Sequence, residues 1–378
     1  MNLYLNDYFY GSRMAVVARS EEVYNELMAR NIDIMRVSSK SILFQPGNIR
    51  YWSEKINSDR LELLCDYDIV EINESGILYR AFANNEADST IFLGARCNSN
   101  CVMCPASDKE RKKGFAYSRD LLMRYIDYLP ADLEYIVMTG GEPTMQPDLF
   151  LESLDRVREK FPHTQVLLLT NGRSLSDKWL FQQVVDRHPE HFRIAIPIHA
   201  PNAELHDYIT RSPGSFDQTM LGLTRLMNSD ITVEVRIVVT KVNCDYLLEI
   251  GKLISNNFPR VFCVNFIGLE PRGNCAVNYD SVYLDHRTSF IKSKEAIQYL
   301  ISCGYDVGLY NYPLCSIDKD YWSIASRSIS SYKNVYQPEC EECDVKLICG
   351  GFFAAAIGIA KPKVLPVKAK GIANDKSL

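Results

Sequence analysis

Short apolar segments and amphipathic segments alternate through the middle of the 378-residue chain, with polar turns between them. From Ser89 to about Phe266 this pattern predicts an α/β arrangement in which β-strands alternate with helices. The predicted strands begin at Ser89 and continue with Leu133–Thr139, Val166–Thr170, Phe192–Ile198, Thr232–Val239 and Val261–Phe266. This order favours a parallel sheet of six βα units, short of a closed eight-fold barrel.

The two ends of the chain follow other patterns. The N-terminal part predicts a β-rich segment with a helix at Glu21–Arg30 and a hairpin turn at Asn73–Gly76. We favour a small cap on the main domain over a docking or recognition domain for this segment. The C-terminal part predicts a helix at 287–302, a strand at 306–310, a helix at 322–332 and a frayed tail. The predicted domain boundaries divide the chain into a β-rich N-terminal segment (1–88), a central α/β core (89–273), a cysteine-rich C-terminal region (274–360) and a tail (361–378).

Composition narrows the class of protein. Apolar residues make up 47% of the chain and charged residues 24%, as in an ordinary globular protein. The net charge of −5 offers no basic surface for nucleic acid, and no apolar segment is long enough to span a bilayer. We therefore expect neither nucleic acid nor a membrane as a partner. The 12 cysteines, with no N-terminal export pattern, favour metal binding in the cytoplasm over disulfide bonds.

Three cysteines follow the first predicted strand of the central region. Cys97, Cys101 and Cys104 have the spacing C-x3-C-x2-C in a loop of turn-forming residues. Three thiolates hold an inorganic centre while leaving one metal position open, whereas four close a structural site. A zinc knuckle or buried structural cysteines are the alternatives at this point.

A glycine pair follows the second strand, in the segment Gly140-Gly141-Glu142-Pro143. In parallel α/β folds, ligands gather at the carboxyl ends of the strands. Two glycines allow the backbone to approach a ligand closely, and Glu142 with nearby carbonyls can accept hydrogen bonds from an ammonium group. The segment is therefore a candidate ligand-binding loop, although the same residues also form a common turn.

A second set of cysteines lies in the C-terminal region. Cys340, Cys343 and Cys349 have the spacing C-x2-C-x5-C, and Cys315 precedes them. Together they supply four thiolates, which is a complete coordination set for an iron–sulfur cluster or for zinc. Cys303 is an alternate ligand.

The three-cysteine loop and the Gly140–Pro143 segment together resemble the radical S-adenosylmethionine (radical SAM) superfamily. The resemblance implies an open six-stranded partial TIM-like barrel, a 4Fe-4S cluster on Cys97, Cys101 and Cys104, and S-adenosylmethionine on the open iron. It also implies that the Gly140–Pro143 segment binds the methionyl amino group. Met103 stands where the family usually has an aromatic residue.

That resemblance implies a reaction as well. An external one-electron donor, such as flavodoxin or ferredoxin, reduces the cluster, and S-adenosylmethionine is cleaved to methionine and a 5′-deoxyadenosyl radical. The radical then removes a hydrogen atom from a substrate carbon. No catalytic acid or base is assigned from the sequence.

The C-terminal cysteines resemble the SPASM or twitch extension of radical SAM enzymes. Because Phe353 stands where a further cysteine of the full SPASM form falls, one auxiliary 4Fe-4S cluster is expected. The two cysteine segments together are similar to radical SAM maturases of the His-Xaa-Ser system, HxsC type. This resemblance implies oxidative modification or crosslinking of a ribosomally made precursor peptide (a RiPP) and a companion radical SAM maturase. A dehydrogenase-type radical SAM enzyme with a small-molecule substrate, or a zinc-binding module without activity, are the alternatives.

Overall fold

Two large β-sheets follow one another along the chain. A computed structural model of the protein describes residues 2–4, 12–38, 41–45, 47, 49–52, 61–328 and 333–368. The strands of the first sheet are β1 (Asn2–Tyr4), β2 (Arg13–Ala18), β3 (Ile34–Val37), β4 (Ser41–Gln45), β5 (Ile49–Trp52), β6 (Ile69–Ile72) and β7 (Ile77–Phe82). Their order in space is β1-β7-β6-β2-β3-β4-β5.

The first sheet is mixed, with one parallel pair formed by β2 and β3. Helix α1 (Glu21–Ala29) makes the crossover between these two strands. Its N-terminus is capped by the Ser20 hydroxyl, which accepts a hydrogen bond from the Val23 N–H at 3.3 Å. Val23 and Leu27 are buried on the same helix face and pack against β2 and β3. The amphipathic pattern of α1 therefore attaches the helix to the sheet.

The second sheet is parallel throughout and curls into a half-barrel. Its strands are β8 (Asp88–Phe92), β9 (Tyr135–Thr139), β10 (Gln165–Leu169), β11 (Phe192–Pro197), β12 (Thr232–Val238), β13 (Cys263–Ile267), β14 (Asp306–Tyr310) and β15 (Ala325–Ser326). Their order in space is β15-β14-β13-β12-β11-β10-β9-β8. The short strands β16 (Asn334–Val335) and β17 (Phe352–Phe353) form an antiparallel pair.

Helices connect the strands of the half-barrel and continue into the C-terminal region. In chain order they are α2 (Asp108–Lys113), α3 (Arg119–Tyr128), α4 (Pro147–Lys160), α5 (Lys178–Arg187), α6 (Ala203–Thr210), α7 (Ser215–Leu226), α8 (Leu247–Asn257), α9 (Gly273–Val277), α10 (Tyr279–Val282), α11 (His286–Ser302) and α12 (Ala354–Ile359).

Alternation along the strands separates an apolar face from a polar one. Ile194 of β11 and Val235 of β12 are fully buried in the main hydrophobic cluster with the helices. On the opposite face of the sheet, Glu234 accepts a hydrogen bond from the Arg236 Nε at 2.6 Å and lies 3.7 Å from the Arg193 Nη1. A buried carboxylate requires such partners because water no longer solvates it. The inner face of the half-barrel is therefore polar at its centre.

The predicted parallel sheet is confirmed, and it is longer than predicted. Strand β14 pairs with β13, and β15 extends the same sheet. The segment 306–310 was predicted as a strand of the C-terminal region, but α11 supplies the crossover that a parallel neighbour needs. The predicted helix at 322–332 is wrong for residues 322–328, which continue a 3-10 turn at Lys319–Ile324 and form β15. Residues 329–332 lie outside the described residues.

The predictions for the N-terminal segment hold in part. The helix near residue 21 and the hairpin of β6 and β7 are confirmed, with the Gly76 N–H donating to the Asn73 carbonyl at 2.9 Å. The pattern did not predict β2, in which Met14–Ala18 are all buried. A strand buried on both faces has no alternation of apolar and polar residues, so its period is hidden.

His286 gives the fold a pH-sensitive position. The side chain is 5% exposed and packs edge-on against Tyr312 and Phe352. Burial lowers the pKa of His286 to about 4, although Asp285 opposes this shift. Below about pH 6.5 the unfolded chain binds a proton that the folded chain does not, so stability falls as the pH decreases towards 4.

We predict that His286→Phe weakens this pH dependence. In the metal-free protein, the wild type is expected to lose up to about 1.4 kcal/mol more unfolding free energy than the variant per pH unit below pH 6.5. Urea unfolding monitored by circular dichroism at pH 7.0, 6.0 and 5.0 measures the difference. Equal pH dependence in the two proteins would show that His286 is not neutral in the fold.

Candidate functional site

The three-cysteine loop follows β8 and faces a cavity of about 290 Å³ at the carboxyl ends of the parallel strands. Cys97, Cys101 and Cys104 all line this cavity. Among the described residues, no fourth cysteine lines it. The cavity therefore brings three thiols together beside space for a further ligand, as the spacing of the cysteines predicts.

The glycine pair after β9 lies directly against the cysteine loop. A Cβ atom on Gly140 would be 2.5 Å from the Gly94 carbonyl oxygen, and one on Gly141 would be 2.3 Å from the Ala95 carbonyl oxygen. The Gly141 N–H donates to the Gly94 carbonyl at 2.8 Å. Both glycines also line the cavity. Gly140 and Gly141 therefore allow the two loops to pack closely, and their backbone is also accessible to a ligand in the cavity.

Glu142 is a buried hydrogen-bond acceptor that joins two strand ends. The side chain is 3% exposed. Its carboxylate accepts from the Thr144 N–H at 3.1 Å, the Thr144 hydroxyl at 2.7 Å, the Thr170 hydroxyl at 2.6 Å and the Asn171 N–H at 2.7 Å. Pro143 begins the short 3-10 turn that follows. The direct contact of Glu142 with an ammonium group stays a prediction, and in the structure Glu142 positions the loops after β9 and β10.

Arg173 and Asn171 hold the first cysteine from the side of β10. The Arg173 guanidinium donates to the Asn98 carbonyl and, at 2.8 Å, to the Ser99 hydroxyl. The Asn171 amide donates to the Asn98 side chain at 2.6 Å. The Ser99 N–H donates to the Cys97 sulfur at 3.4 Å. The sequence does not predict the role of Arg173, because nothing local marks its contact with Ser99, 74 residues away.

Asn274 holds the other end of the cysteine loop. Its amide donates to the Asn100 side chain at 2.8 Å and to the Cys101 carbonyl at 2.9 Å, and its N–H donates to the Cys104 carbonyl at 2.9 Å. Asn274 belongs to α9, which begins after the loop that follows β13. The cysteine loop is therefore fixed from both sides of the cavity.

The charges around the cavity favour a negatively charged occupant. Arg111, Arg173 and Arg236 line it, and no aspartate or glutamate does among the described lining residues. The Arg236 charge is paired with the Glu234 carboxylate, whereas Arg111 and Arg173 hydrogen-bond to uncharged groups. Burial raises the pKa of Cys97, and it raises the pKa of Cys101 to about 12. These thiols are protonated at neutral pH in the metal-free protein, so binding of metal must displace their protons. The residues fit a cluster with three thiolate ligands.

Two buried histidines at the same cavity lack hydrogen-bond partners on one ring nitrogen. His199 and His206 line the cavity, with ring centroids 5.4 Å apart. Within the described part of the chain, the His199 Nδ1 and the His206 Nε2 have no partner. Burial lowers the pKa of His199 to about 3 and that of His206 to about 4, so both rings are neutral. They offer two polar atoms to a bound molecule.

The four C-terminal cysteines line a second, much smaller cavity together with Tyr336 and Leu365. Their backbone environment is rich in N–H donors to sulfur. The Cys349 sulfur accepts from the Leu314 N–H at 3.3 Å and from the Gly351 N–H at 3.4 Å. Burial raises the pKa of Cys315 to about 11 and also raises that of Cys340. Backbone donors aimed at sulfur stabilise thiolates, so Cys315, Cys340, Cys343 and Cys349 fit a tetrathiolate metal centre.

Cys303 does not line this cavity and is exposed at the C-terminal end of α11. Over the described ranges, no group of three or more His, Cys, Asp or Glu side chains has the spacing of a site for one metal ion. A 4Fe-4S cluster separates its sulfur ligands more widely than one ion does, because each thiolate binds a different iron.

The comparison with protein families agrees with the class of protein that the cysteine loop and the glycine pair indicate. Residues 91–254 match the family model of the Radical SAM superfamily. This match covers the cysteine loop, the glycine pair and strands β9 to β12. It supports the radical SAM superfamily for this part of the chain, and with it an enzyme.

Two curated relatives and one solved structure are similar to parts of this chain. AdoMet-dependent heme synthase of Methanosarcina barkeri (strain Fusaro / DSM 804) is 26% identical over 48% of this chain and 51% of its own length. Mycofactocin maturase MftC of Mycobacterium tuberculosis is 28% identical over 42% of this chain and 39% of its own length. The crystal structure of Streptococcus suis SuiB bound to precursor peptide SuiA matches with a TM-score of 0.47 and 13% identity, over 60% of this chain and 49% of that chain.

The chain thus spans about half the length of these relatives or less. Their names include both a synthase of a small molecule and a maturase. Within the described residues, no helix has the length and apolar character needed to cross a membrane.

We predict that Gly141→Ala displaces the cysteine loop. The new Cβ would lie 2.3 Å from one backbone carbonyl oxygen and 2.4 Å from the next, and neither can move without the loop. We expect a loss of about 1–3 kcal/mol in stability and a reduced iron content after anaerobic reconstitution. Thermal unfolding and iron analysis measure the two effects.

Gly358→Ala is the matched control. A Cβ on Gly358 meets nothing within 4 Å, and the residue lies in helix α12, where alanine is the better helix former. We expect this variant to bind iron as the wild type does. A Gly141→Ala variant that is also indistinguishable from the wild type would show that the two loops accommodate a side chain at this position.

Proposed function

We propose that this protein is a radical SAM enzyme that oxidatively modifies or crosslinks a ribosomally made precursor peptide. The observation that carries the proposal is the cavity at the strand ends, where Cys97, Cys101 and Cys104 face open space. When bound there, a 4Fe-4S cluster supplies the electron that cleaves S-adenosylmethionine to methionine and a 5′-deoxyadenosyl radical.

The chain's own residues bind and orient in this proposal. The three thiols hold the cluster, and the open backbone of Gly140 and Gly141 gives the methionyl part of S-adenosylmethionine a surface without side chains. Glu142 and Pro143 keep that surface in place. The neutral rings of His199 and His206 offer hydrogen bonds without adding charge. An aliphatic wall of Leu169 and Val238 limits the access of water to the site.

The auxiliary centre is the second part of the proposal. Cys315, Cys340, Cys343 and Cys349 would hold one 4Fe-4S cluster whose ligands all come from the protein. Such a centre has no open position for substrate, so its roles are electron exchange with the active site or stabilisation of the C-terminal region. Zinc at the same four thiols is the alternative occupant.

A precursor peptide is the proposed substrate, and the resemblance to HxsC-type maturases makes a His-Xaa-Ser peptide the specific candidate. The relative named mycofactocin maturase supports a peptide substrate at the level of the class. A flavodoxin or ferredoxin is the proposed one-electron donor, and a companion radical SAM maturase is the proposed partner. The sheet of residues 2–82 remains the candidate for peptide docking, with a structural cap as the alternative.

A radical SAM enzyme with a small-molecule substrate is the second candidate function. Two matched relatives from Methanosarcina barkeri are named AdoMet-dependent heme synthase and Fe-coproporphyrin III synthase. Arg111 and Arg173 at the cavity, whose hydrogen-bond partners are uncharged, also suit a substrate with carboxylate groups. The two candidates share the cluster and differ in what enters the cavity.

We predict about eight irons per chain in the anaerobically reconstituted wild type, and about four after Cys97, Cys101 and Cys104 are all changed to alanine. Cys340→Ala with Cys343→Ala is expected to remove the other four. Iron and sulfide analysis measures both. The double variant Cys65→Ala with Cys303→Ala is the control, because both thiols are exposed and lie outside the two cavities. Zinc in place of iron at both sites would contradict the proposal that the protein is a radical SAM enzyme.

A second experiment distinguishes the substrates. The reconstituted enzyme is incubated with S-adenosylmethionine, a reductant and either a His-Xaa-Ser repeat peptide or iron coproporphyrin. We expect 5′-deoxyadenosine formation to increase with the peptide, and the peptide to lose hydrogen mass by mass spectrometry. Turnover of iron coproporphyrin with an unchanged peptide would replace the peptide proposal by the small-molecule one.

A further inference from the structure

Residues 361–368 run along the four-cysteine cavity, and we name them the C-terminal strap. The sequence pattern predicted a frayed tail here, yet the strap makes defined contacts. The Gln337 side chain donates to the Pro362 carbonyl at 2.8 Å, and the Asp344 N–H donates to the Val367 carbonyl at 2.9 Å. Lys368 donates through its Nζ to the Glu342 carbonyl at 2.6 Å. These bonds attach the strap along its length to the segment that carries Cys340 and Cys343.

The strap also approaches two sulfurs through its backbone. The Val367 N–H donates to the Cys343 sulfur at 3.4 Å. The Leu365 backbone lowers the pKa of Cys315, against the larger opposite effect of burial. Both contacts come from the backbone, and the Leu365 side chain is 59% exposed. Burial of the Leu365 side chain therefore does not explain its position beside the cavity.

The other two sulfurs receive donors from elsewhere in the chain. The Cys349 sulfur accepts from the Leu314 and Gly351 N–H groups, and the Gln337 backbone lowers the pKa of Cys340 against the effect of burial. Backbone N–H groups thus donate to the sulfurs of Cys343 and Cys349, and the strap lies on the side of Cys315 and Cys343. Without the strap, the Cys343 thiolate would lose its N–H contact, and both Cys315 and Cys343 would lose one wall of the cavity.

The composition of the strap favours its docking beside the four cysteines. Pro362 and Pro366 restrict their backbone angles, so the segment loses little conformational freedom when it docks. Its lysines keep the outer side polar, and the ion pair between Lys368 and Glu342 is exposed, so it adds little stability. The free energy of docking comes mainly from the backbone hydrogen bonds and from Val367, which packs against the main apolar cluster.

We propose that the C-terminal strap is an integral part of the four-cysteine metal site, in which the Leu365 and Val367 N–H groups orient Cys315 and Cys343 and control metal retention and reduction potential. This inference rests on the proposed auxiliary centre. An N–H dipole aimed at sulfur stabilises the more negative, reduced state of a cluster. Removal of these donors therefore shifts the reduction potential to a more negative value and weakens metal binding.

Proline substitutions test the strap because they remove the backbone N–H of the substituted residue. Leu365→Pro and Val367→Pro each delete one donor, next to a proline that already stands at position 366. Leu365→Ala and Val367→Ala shorten the same side chains and keep the N–H, so they are the matched controls. All variants are made in full-length protein with Cys97, Cys101 and Cys104 changed to alanine, so that only the four-cysteine site binds a cluster.

After reconstitution with iron and sulfide, the proline variants are expected to lose iron to a ferrous chelator about tenfold faster than the alanine controls. Their reduction potential, from a titration monitored by electron paramagnetic resonance, is expected to be more negative than that of the controls. Circular dichroism checks that the fold is kept. Equal rates and equal potentials in the proline and alanine variants would overturn the role of the strap.

The failure of the auxiliary-cluster proposal is a separate result. If the protein with only the four-cysteine site binds no cluster, that proposal fails, and the strap is judged on the metal-free variants by alkylation of thiols. Mass spectrometry of peptides then follows Cys315 and Cys343. Alkylation of Cys315 or Cys343 at a rate that differs between the proline variants and the alanine controls supports the strap, because the lost N–H changes the thiolate fraction and the lost cover changes access to the sulfur. Equal alkylation rates overturn it.

Discussion

The backbone of the glycine pair lies directly against the backbone of the cysteine loop, and the position of the three thiols depends on this contact. No side chain fits between the two segments, because a Cβ on Gly141 would overlap the carbonyl oxygens of Ala95 and Arg96. The hydrogen bonds from the Gly141 N–H to Gly94 and from the Glu142 N–H to Arg96 need that close approach. The glycines therefore shape the site before any ligand binds.

Buried polar groups extend this constraint across the strand ends. The Glu142 carboxylate has donors from Thr144, Thr170 and Asn171, so the loops after β9 and β10 share one acceptor. A hydrogen bond to a charged group contributes about 1.5–3 kcal/mol, and a buried carboxylate left without donors costs more than that. Asn274 has a similar role on the other side, with three bonds to the cysteine loop. The loop is thus held by polar contacts that do not require metal.

The sequence predicts those parts of the molecule whose signal is local. The spacing of Cys97, Cys101 and Cys104 lies within one loop, and the alternation of strands and helices marks the half-barrel. Residues such as Arg173 and Asn274 were missed because their partners lie far away along the chain, where no spacing relates them. The sequence predicts β14 as a strand but does not predict that it belongs to the parallel sheet. Its pairing with β13 depends on the crossover through α11, which has no local signal in the sequence of the strand.

The two cysteine sites differ in their access to solvent, and sites that differ in this way suit different reactions. The three thiols face a cavity with neutral histidines and guanidinium groups, so a centre there has space for a further molecule. The four thiols face a cavity that is far smaller and has the C-terminal strap along one side. Exposure of an iron–sulfur cluster and the donors to its sulfurs both set its potential. The two sets of thiols therefore have different surroundings in one chain. A centre on the open set would suit substrate chemistry, and a centre on the covered set would suit electron exchange or stability.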